Sequence, residues 1–284
     1  MDFVETQGAR LAFRVDGPAD APALLCIHGS WDDHRSWDGL ARHLPDRRLI
    51  RYDRRGHSLS SAPPGQGRLG EDVQDALALL DALGLERADV IGHSYGACVA
   101  IVLAARAPGR VDGLFLHEPP VFGLLAAGDA QDAALRADAM ALMRRAADHL
   151  EGGDVEAGAR LFIEDVAFGR DSWSTLFDAE ARATILANAH TWLDQYRDPE
   201  RLSVDVGALA AFPRPVTMTS GRDSLPAYGA TVRRIAAALP AMTVHRVGGG
   251  HGAHISHPAD IAAVIGRVKL NAASPVKEEA DHSG

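Results

Sequence analysis

Lysine is almost missing from this 284-residue chain. Of its 29 basic side chains, 27 are arginine, and only Lys269 and Lys277 are lysine. With abundant alanine and glycine, that bias points to a GC-rich, bacterial gene. Cysteine is nearly as scarce. Cys26 and Cys98 form no CxxC pair and cannot build a disulfide framework, which fits a reduced, cytoplasmic chain. No run approaches the roughly 18–20 uninterrupted apolar residues that cross a bilayer, so no membrane span is expected. The opening Met-Asp-Phe-Val-Glu has neither a basic nor an apolar signal region, so no secretory signal is expected. Positive charge is in deficit, for a net −9, which argues against a nucleic-acid partner because phosphate binding needs a basic face. No GxGxxG follows a strand and no GxxxxGK[ST] occurs, so neither a dinucleotide nor a P-loop nucleotide is expected, nor any other cofactor. No internal repeat is visible.

What is present suffices for one large domain, or a core plus an insertion. Short apolar, β-branched runs read as buried strands: Ala23–His28, Arg48–Tyr52, Ala88–Ile91, Val111–Leu116, Pro215–Thr219 and Met242–Val247. Helical patterns lie between them. Val73, Leu77, Leu80 and Leu83 make one apolar stripe closed by Gly84, and Ala97–Ala107 is apolar all round. Thr231–Leu239 and Pro258–Val268 supply two more helices. Such alternation predicts a doubly wound, mostly parallel sheet, with the first 15 residues an antiparallel edge pair turning near Gln7-Gly8.

Residues 121–212 break the rhythm. They carry 16 acidic against 8 basic side chains, nearly all of the chain's acidic excess. Alanine, leucine and arginine dominate, no strong strand run occurs, and aromatic residues recur. About 90 residues is too long for a plain loop, so several helices forming a cap are expected. Their acidity reads as a solvated outer face that disfavours strongly anionic substrates. The polar run over 271–284 reads as a disordered tail.

The most informative pentapeptide is Gly92-His93-Ser94-Tyr95-Gly96. A strand runs into it and a buried helix runs out of it. That is the strand–turn–helix of a nucleophile elbow, which lifts the serine Oγ above the sheet and aims a helix N-terminus at developing negative charge. A serine hydroxyl needs a base within reach, itself oriented by a third group.

The chain resembles the α/β-hydrolase family, on four features in order: His28-Gly29-Ser30-Trp31, Asp53-Arg-Arg-Gly-His-Ser58, the Ser94 elbow and Gly250-His251. The resemblance covers roughly residues 10–268 and implies an eight-stranded sheet, with a core over 1–120 and 213–270 and the helical cap over 121–212. It implies His251 as base, while His28 and His57 stand at positions read as structural or pocket-forming. Two places for the acid remain open. Glu118 ends the strand after the elbow, 24 residues beyond Ser94, as in a subset of the family. Asp223 lies one residue short of the family's Gly-x-x-Asp position, which Ser224 occupies. Backbone N–H groups of Ser30 and Tyr95 are the expected oxyanion donors. Trp31, His93, Phe122 and Trp192 are candidates for the pocket wall. His251, His254 and His257 also form a His-x-x-His-x-x-His run, but that spacing scatters ligands around a helix, so no metal is expected. Dehalogenases and epoxide hydrolases of the fold use aspartate where Ser94 stands, which argues against those chemistries.

The expected function is a serine hydrolase acting on a small carboxylic ester, lactone or related acyl compound through an acyl-enzyme. A C–C bond hydrolase, lyase or cofactor-free oxygenase on the same triad is the alternative, and a non-catalytic ligand-binding member stands behind both. The expected partner is a small molecule.

Overall fold

A computed structural model describes residues 1–63 and 65–273 of the chain. Eight strands form one sheet in the order β1-β2-β4-β3-β5-β6-β7-β8. They are β1 (Asp2–Glu5), β2 (Arg10–Asp16), β3 (Ala23–Ile27), β4 (Arg48–Tyr52), β5 (Ala88–His93), β6 (Val111–His117), β7 (Val216–Gly221) and β8 (Thr243–Val247). β1 and β2 pair antiparallel, and β2 lies antiparallel on β4. The other pairings are parallel. The edge hairpin turns at Gly8, whose φ of 82° suits a residue without Cβ.

Strand alternation sorts the core onto two faces. Leu25 and Ile27 of β3 and Leu114 and Leu116 of β6 pack with α2 (Leu69–Ala82) and α3 (Tyr95–Arg106). Leu24, Cys26, Ile91 and Phe115 face the other way, toward a short helix α1 (Asp38–His43) and the C-terminal α11 (Pro258–Ala273). Both faces are covered, so β3 needs no polar position and reads as a continuous apolar run. Burial pushes both thiols, Cys26 and Cys98, up to about 12 and leaves them unreactive. Helix α11 runs three residues into the segment expected to be a tail; residues 274–284 lie outside the described part.

Between β6 and β7 the described chain is helical throughout: α4 (Ala130–Glu151), α5 (Val155–Leu161), α6 (Ser172–Thr175), α7 (Ala179–Ala187) and α8 (Ala189–Arg197), joined by shorter turns. Their apolar faces make a core of their own, which Trp31, Tyr228 and Ala230 join from below. Beyond β7, α9 (Pro226–Ala238) and a single turn, α10 (Ala253–Ser256), complete the fold.

The acidity of this segment is not simply a solvated face. Asp198 Oδ2 accepts from Leu69 N–H at 2.7 Å and Glu200 Oε2 from Gly70 N–H at 2.9 Å, so two of its carboxylates sit on the N-terminus of α2, where the helix dipole favours negative charge. Asp132 accepts from Arg234 Nε at 2.6 Å, and Glu180 pairs with Arg35. Four acidic residues thus bind core donors, a placement invisible to a one-dimensional charge count.

Candidate active site

Ser94 stands between β5 and α3 with φ 52° and ψ −121°. Such a backbone costs on the order of 1–3 kcal/mol and persists only where its surroundings enforce it. Here they do. A Cβ on Gly96 would lie 2.2 Å from Ile27 O, and one on Gly92 would lie 2.4 Å from Gly96 O. Only glycine fits at either position, so β5 and α3 close tightly around the turn. Trp31 (φ 69°) and Glu118 (φ 45°) are also left-handed, so three of the chain's sparsely populated non-glycine conformations fall at strand ends around one spot.

Glu118 follows β6 and is fully buried. Its Oε2 accepts from His251 Nδ1 at 3.0 Å. Oε1 accepts three more bonds, from Ser224 Oγ (2.7 Å), Gly221 N–H (2.9 Å) and Ser220 Oγ (3.0 Å). Burial alone raises a carboxyl pKa, but these bonds and the nearby His117 and His251 outweigh it and hold Glu118 at about 2. Its contribution to stability is therefore complete above the ordinary 4.5 and is lost as pH falls toward about 2.

His251 lies in the glycine-rich loop after β8. Its carbonyl accepts from His93 Nε2 (3.0 Å) and His117 Nε2 (3.1 Å). A carbonyl only accepts, so both rings carry their proton on Nε2. Burial lowers both pKa values and keeps the rings neutral; His117 Nδ1 then accepts from the Thr219 hydroxyl at 2.9 Å. The Tyr228 ring stacks on His251 at 3.9 Å. Two neutral imidazoles, a carboxylate and a phenol ring thus fix the orientation of His251. Its Nε2 is buried and, like Ser94 Oγ, has no hydrogen-bond partner among the described residues.

Asp223 is elsewhere: it is exposed, and among the described residues only its backbone N–H is engaged, by Gly249 O at 3.0 Å. Ser224 reaches Glu118 in its stead. The register of β6 against β7 brings these groups together (His117 opposite Thr219).

The N–H of Tyr95 starts α3, and the Ser30 N–H lies in the loop after β3; neither has a backbone acceptor among the described residues. Ser30 Oγ donates to Gln195 Oε1 at 2.6 Å, tying that loop to α8.

A narrow cavity of about 520 Å³, mouth included, opens on Ser94. Phe122 and Trp192 line it, with Phe162, Gln195 and Arg201. Phe162 opens a single π-helical turn (Phe162–Ala167), an irregularity often found beside functional sites. Trp31 and His93 stand behind the wall rather than on it. Trp31 stacks on Trp192 at 5.2 Å, and His93 packs on His254 at 3.9 Å. His28 and His57 brace the Arg54 loop: His28 Nε2 accepts from Arg54 N–H at 2.9 Å, and His57 Nε2 lies 3.1 Å from the guanidinium.

The His251-x-x-His254-x-x-His257 run does not converge, because His251 turns to Glu118 while exposed His257 meets Ser256. A different trio does come together. Asp32, His93 and His254 bring ligating atoms within 4.8 Å of one another. The His93 and His254 rings are tilted by only 31°, a packing that leaves their in-plane lone pairs poorly aimed at one ion. Burial and the neighbouring Asp33 push the Asp32 carboxyl up to about 7.

Sequence reasoning missed His117, Gln195, Arg201 and Tyr228. His117 was adjacent to a nominated acid; the other three belong to segments whose approach to Ser94 is purely tertiary.

An eight-stranded, mostly parallel sheet with a glycine-flanked serine elbow and a histidine loop after its last strand defines a class, and the comparisons agree. A family model described as the alpha/beta hydrolase fold matches residues 22–154. The chain has the α/β-hydrolase fold. A solved hydrolase from Pseudomonas aeruginosa is 27% identical, with a TM-score of 0.76 over 93% of this chain and 96% of that one. Among curated relatives, a Bacillus subtilis protein named as a 2-succinyl-6-hydroxy-2,4-cyclohexadiene-1-carboxylate synthase is 33% identical over 48% of this chain and 50% of its own length. The 3-oxoadipate enol-lactonase 1 of Acinetobacter baylyi is 36% identical over 34% of this chain and 36% of its own. The chain spans half or less of the length of the curated relatives it matches. No helix among the described residues is long and apolar enough to cross a membrane.

Proposed function

We propose that the protein is a serine hydrolase of small carboxylic esters, lactones or related acyl compounds, with Ser94, His251 and Glu118 as its triad and residues 121–212 as its cap. The observation that carries this reading is the 3.0 Å bond from His251 Nδ1 to Glu118, which leaves Nε2 unengaged on a ring held by that carboxylate and by the stacked Tyr228. Ser94 Oγ attacks the carbonyl while His251 Nε2 takes its proton, and ionised Glu118 stabilises the imidazolium. The N–H groups of Ser30 and Tyr95 hold the oxyanion, aided by the N-terminus of α3. His251 returns the proton to the leaving group, and water then releases the acyl group from Ser94 by the same steps in reverse order. The enol-lactonase among the relatives supports lactones within the substrate range.

A fluorophosphonate probe tests the reading. Wild type is expected to be labelled and Ser94→Ala not. Equal labelling of both sinks it, and labelling of neither, with no ester turned over, points to a ligand-binding member. The relative named as a synthase keeps a lyase reading alongside. Turnover of carbon acids without turnover of esters would favour that alternative.

A further inference from the structure

We propose that Arg201 anchors a carboxylate on the substrate, so that the acyl compounds taken at Ser94 carry a negative charge at the end remote from the scissile bond. The inference deepens the hydrolase reading and rests on it for the chemistry, though not for the binding.

Arg201 is the one charged side chain among the described residues lining the Ser94 cavity. Its Nε donates to Tyr196 O at 3.1 Å, and its guanidinium lies over the Tyr196 ring, 5.1 Å from the centroid. These contacts fix the plane of the fork. Neither terminal nitrogen has a hydrogen-bond partner, and no carboxylate lies within ion-pair distance, among the described residues. The buried arginines of the core behave differently: Arg51 pairs with Asp16, Arg54 with Asp72 and Arg55 with Asp75. Arg201 is half-buried, and this partial burial pulls it below its ordinary pKa with no acid in place to offset it. The nearest acids in sequence are committed elsewhere: Glu200 accepts from the Gly70 N–H, and Asp198 from the N–H groups of Leu69 and Glu200. A planar, pre-oriented fork with free terminal donors matches a carboxylate in bidentate geometry. The aromatic walls, Phe122, Phe162 and Trp192, would cover the apolar chain between that carboxylate and the reacting carbonyl. The acidic surface of the helical segment does not contradict this, because the field inside a narrow cavity is set by the charge lining it.

The test compares p-nitrophenyl hemiesters of succinate, glutarate and adipate with neutral esters of matched length. Wild type is expected to favour at least one hemiester by about 10- to 100-fold in kcat/KM, as one charge-assisted pair allows. In Arg201→Met that ratio should fall at least tenfold, mainly through KM, with part of it recovered in Arg201→Lys. Equal or better turnover of the neutral esters by wild type overturns the proposal. So does an unchanged ratio in Arg201→Met. A variant that fails to fold does not shield it, because the wild-type preference stands alone as a test. If no ester is turned over, the hydrolase reading fails by itself. Calorimetric titration of glutarate into wild type and Arg201→Lys then decides: binding weakened in the variant supports the anchor, and no binding to wild type overturns it.

Discussion

The parallel sheet and the helical segment above it meet at the Ser94 cavity and contribute different things. The sheet supplies Ser94, Glu118 and the loop of His251, all at carboxyl ends of strands or just beyond. Each is held by backbone closeness: glycines that admit no Cβ, left-handed turns, and three donors on one carboxylate oxygen. The helical segment supplies side chains alone, among them Phe122, Phe162, Trp192, Gln195 and Arg201. They project from helices and turns that are joined to the core by apolar packing on Trp31 and Tyr228 and by polar tethers at the margin. Asn188 Oδ1 accepts from Ser58 N–H, and Asp198 and Glu200 sit on α2. Chemistry demands positions accurate to fractions of an ångström, which strands over-determine. Selectivity demands a replaceable wall, which side chains on an inserted helical segment provide.

That contrast can be broken at several points. The largest effect is expected at Glu118. Replacing it by glutamine keeps the shape but removes the charge facing His251, and kcat/KM should fall roughly 10³–10⁴-fold. Asp223→Asn should stay within about threefold. Steady-state kinetics on any accepted ester checks both, and the reverse ranking would assign the acid to the β7 loop. Next comes the wall. Trp192→Ala should move acyl-size preference toward bulkier chains by about tenfold. A uniform fall in kcat across all acyl sizes would instead give the helical segment a share in the chemistry.

The remaining effects are on stability. Asp32 is pushed up to about 7 from an ordinary 3.8, so the folded state resists its ionisation. Wild type therefore loses stability as pH rises from about 4 through 7. Asp32→Asn removes that loss and should raise the melting temperature more at pH 8 than at pH 4; an equal change at both would show that the carboxyl ionises freely. The smallest effect is expected at the tether. Asp198→Asn should cost about 1 kcal/mol, or roughly 2–4 °C in Tm. No shift would mean that the charge on the α2 terminus is fully replaced by solvent.

Much of the sheet was legible because a strand buried on both faces leaves an unmistakable apolar run. All six strands expected beyond the edge pair occur with bounds within a few residues, and the pair itself turns at Gly8. Short α1 was not anticipated, since six residues make too little periodicity to register. Ser94 was legible for a local reason: the strand, the tight turn and the helix are contiguous. The acid was not. Glu118 and Asp223 stood as rivals because the choice depends on how two loops fold, each following a different strand. Trp31 and His93 were expected at the wall and stand one layer behind it, since a residue's distance along the chain from Ser94 says little about which side of a ring faces the cavity.

The sequence by itself determined the alternation of strands and helices, the glycine-flanked serine and the histidine loop, because each depends on neighbours within about ten residues. Tertiary structure alone decided that Glu118 reaches His251, that Ser224 serves that carboxylate, and that Arg201 comes to share a cavity with Ser94. The physical reason is common to all three. Hydrogen bonds and charge pairing act over a few ångströms in space, and the partners are separated by about a hundred residues of chain or more, whose path only the packed sheet and its helices can close.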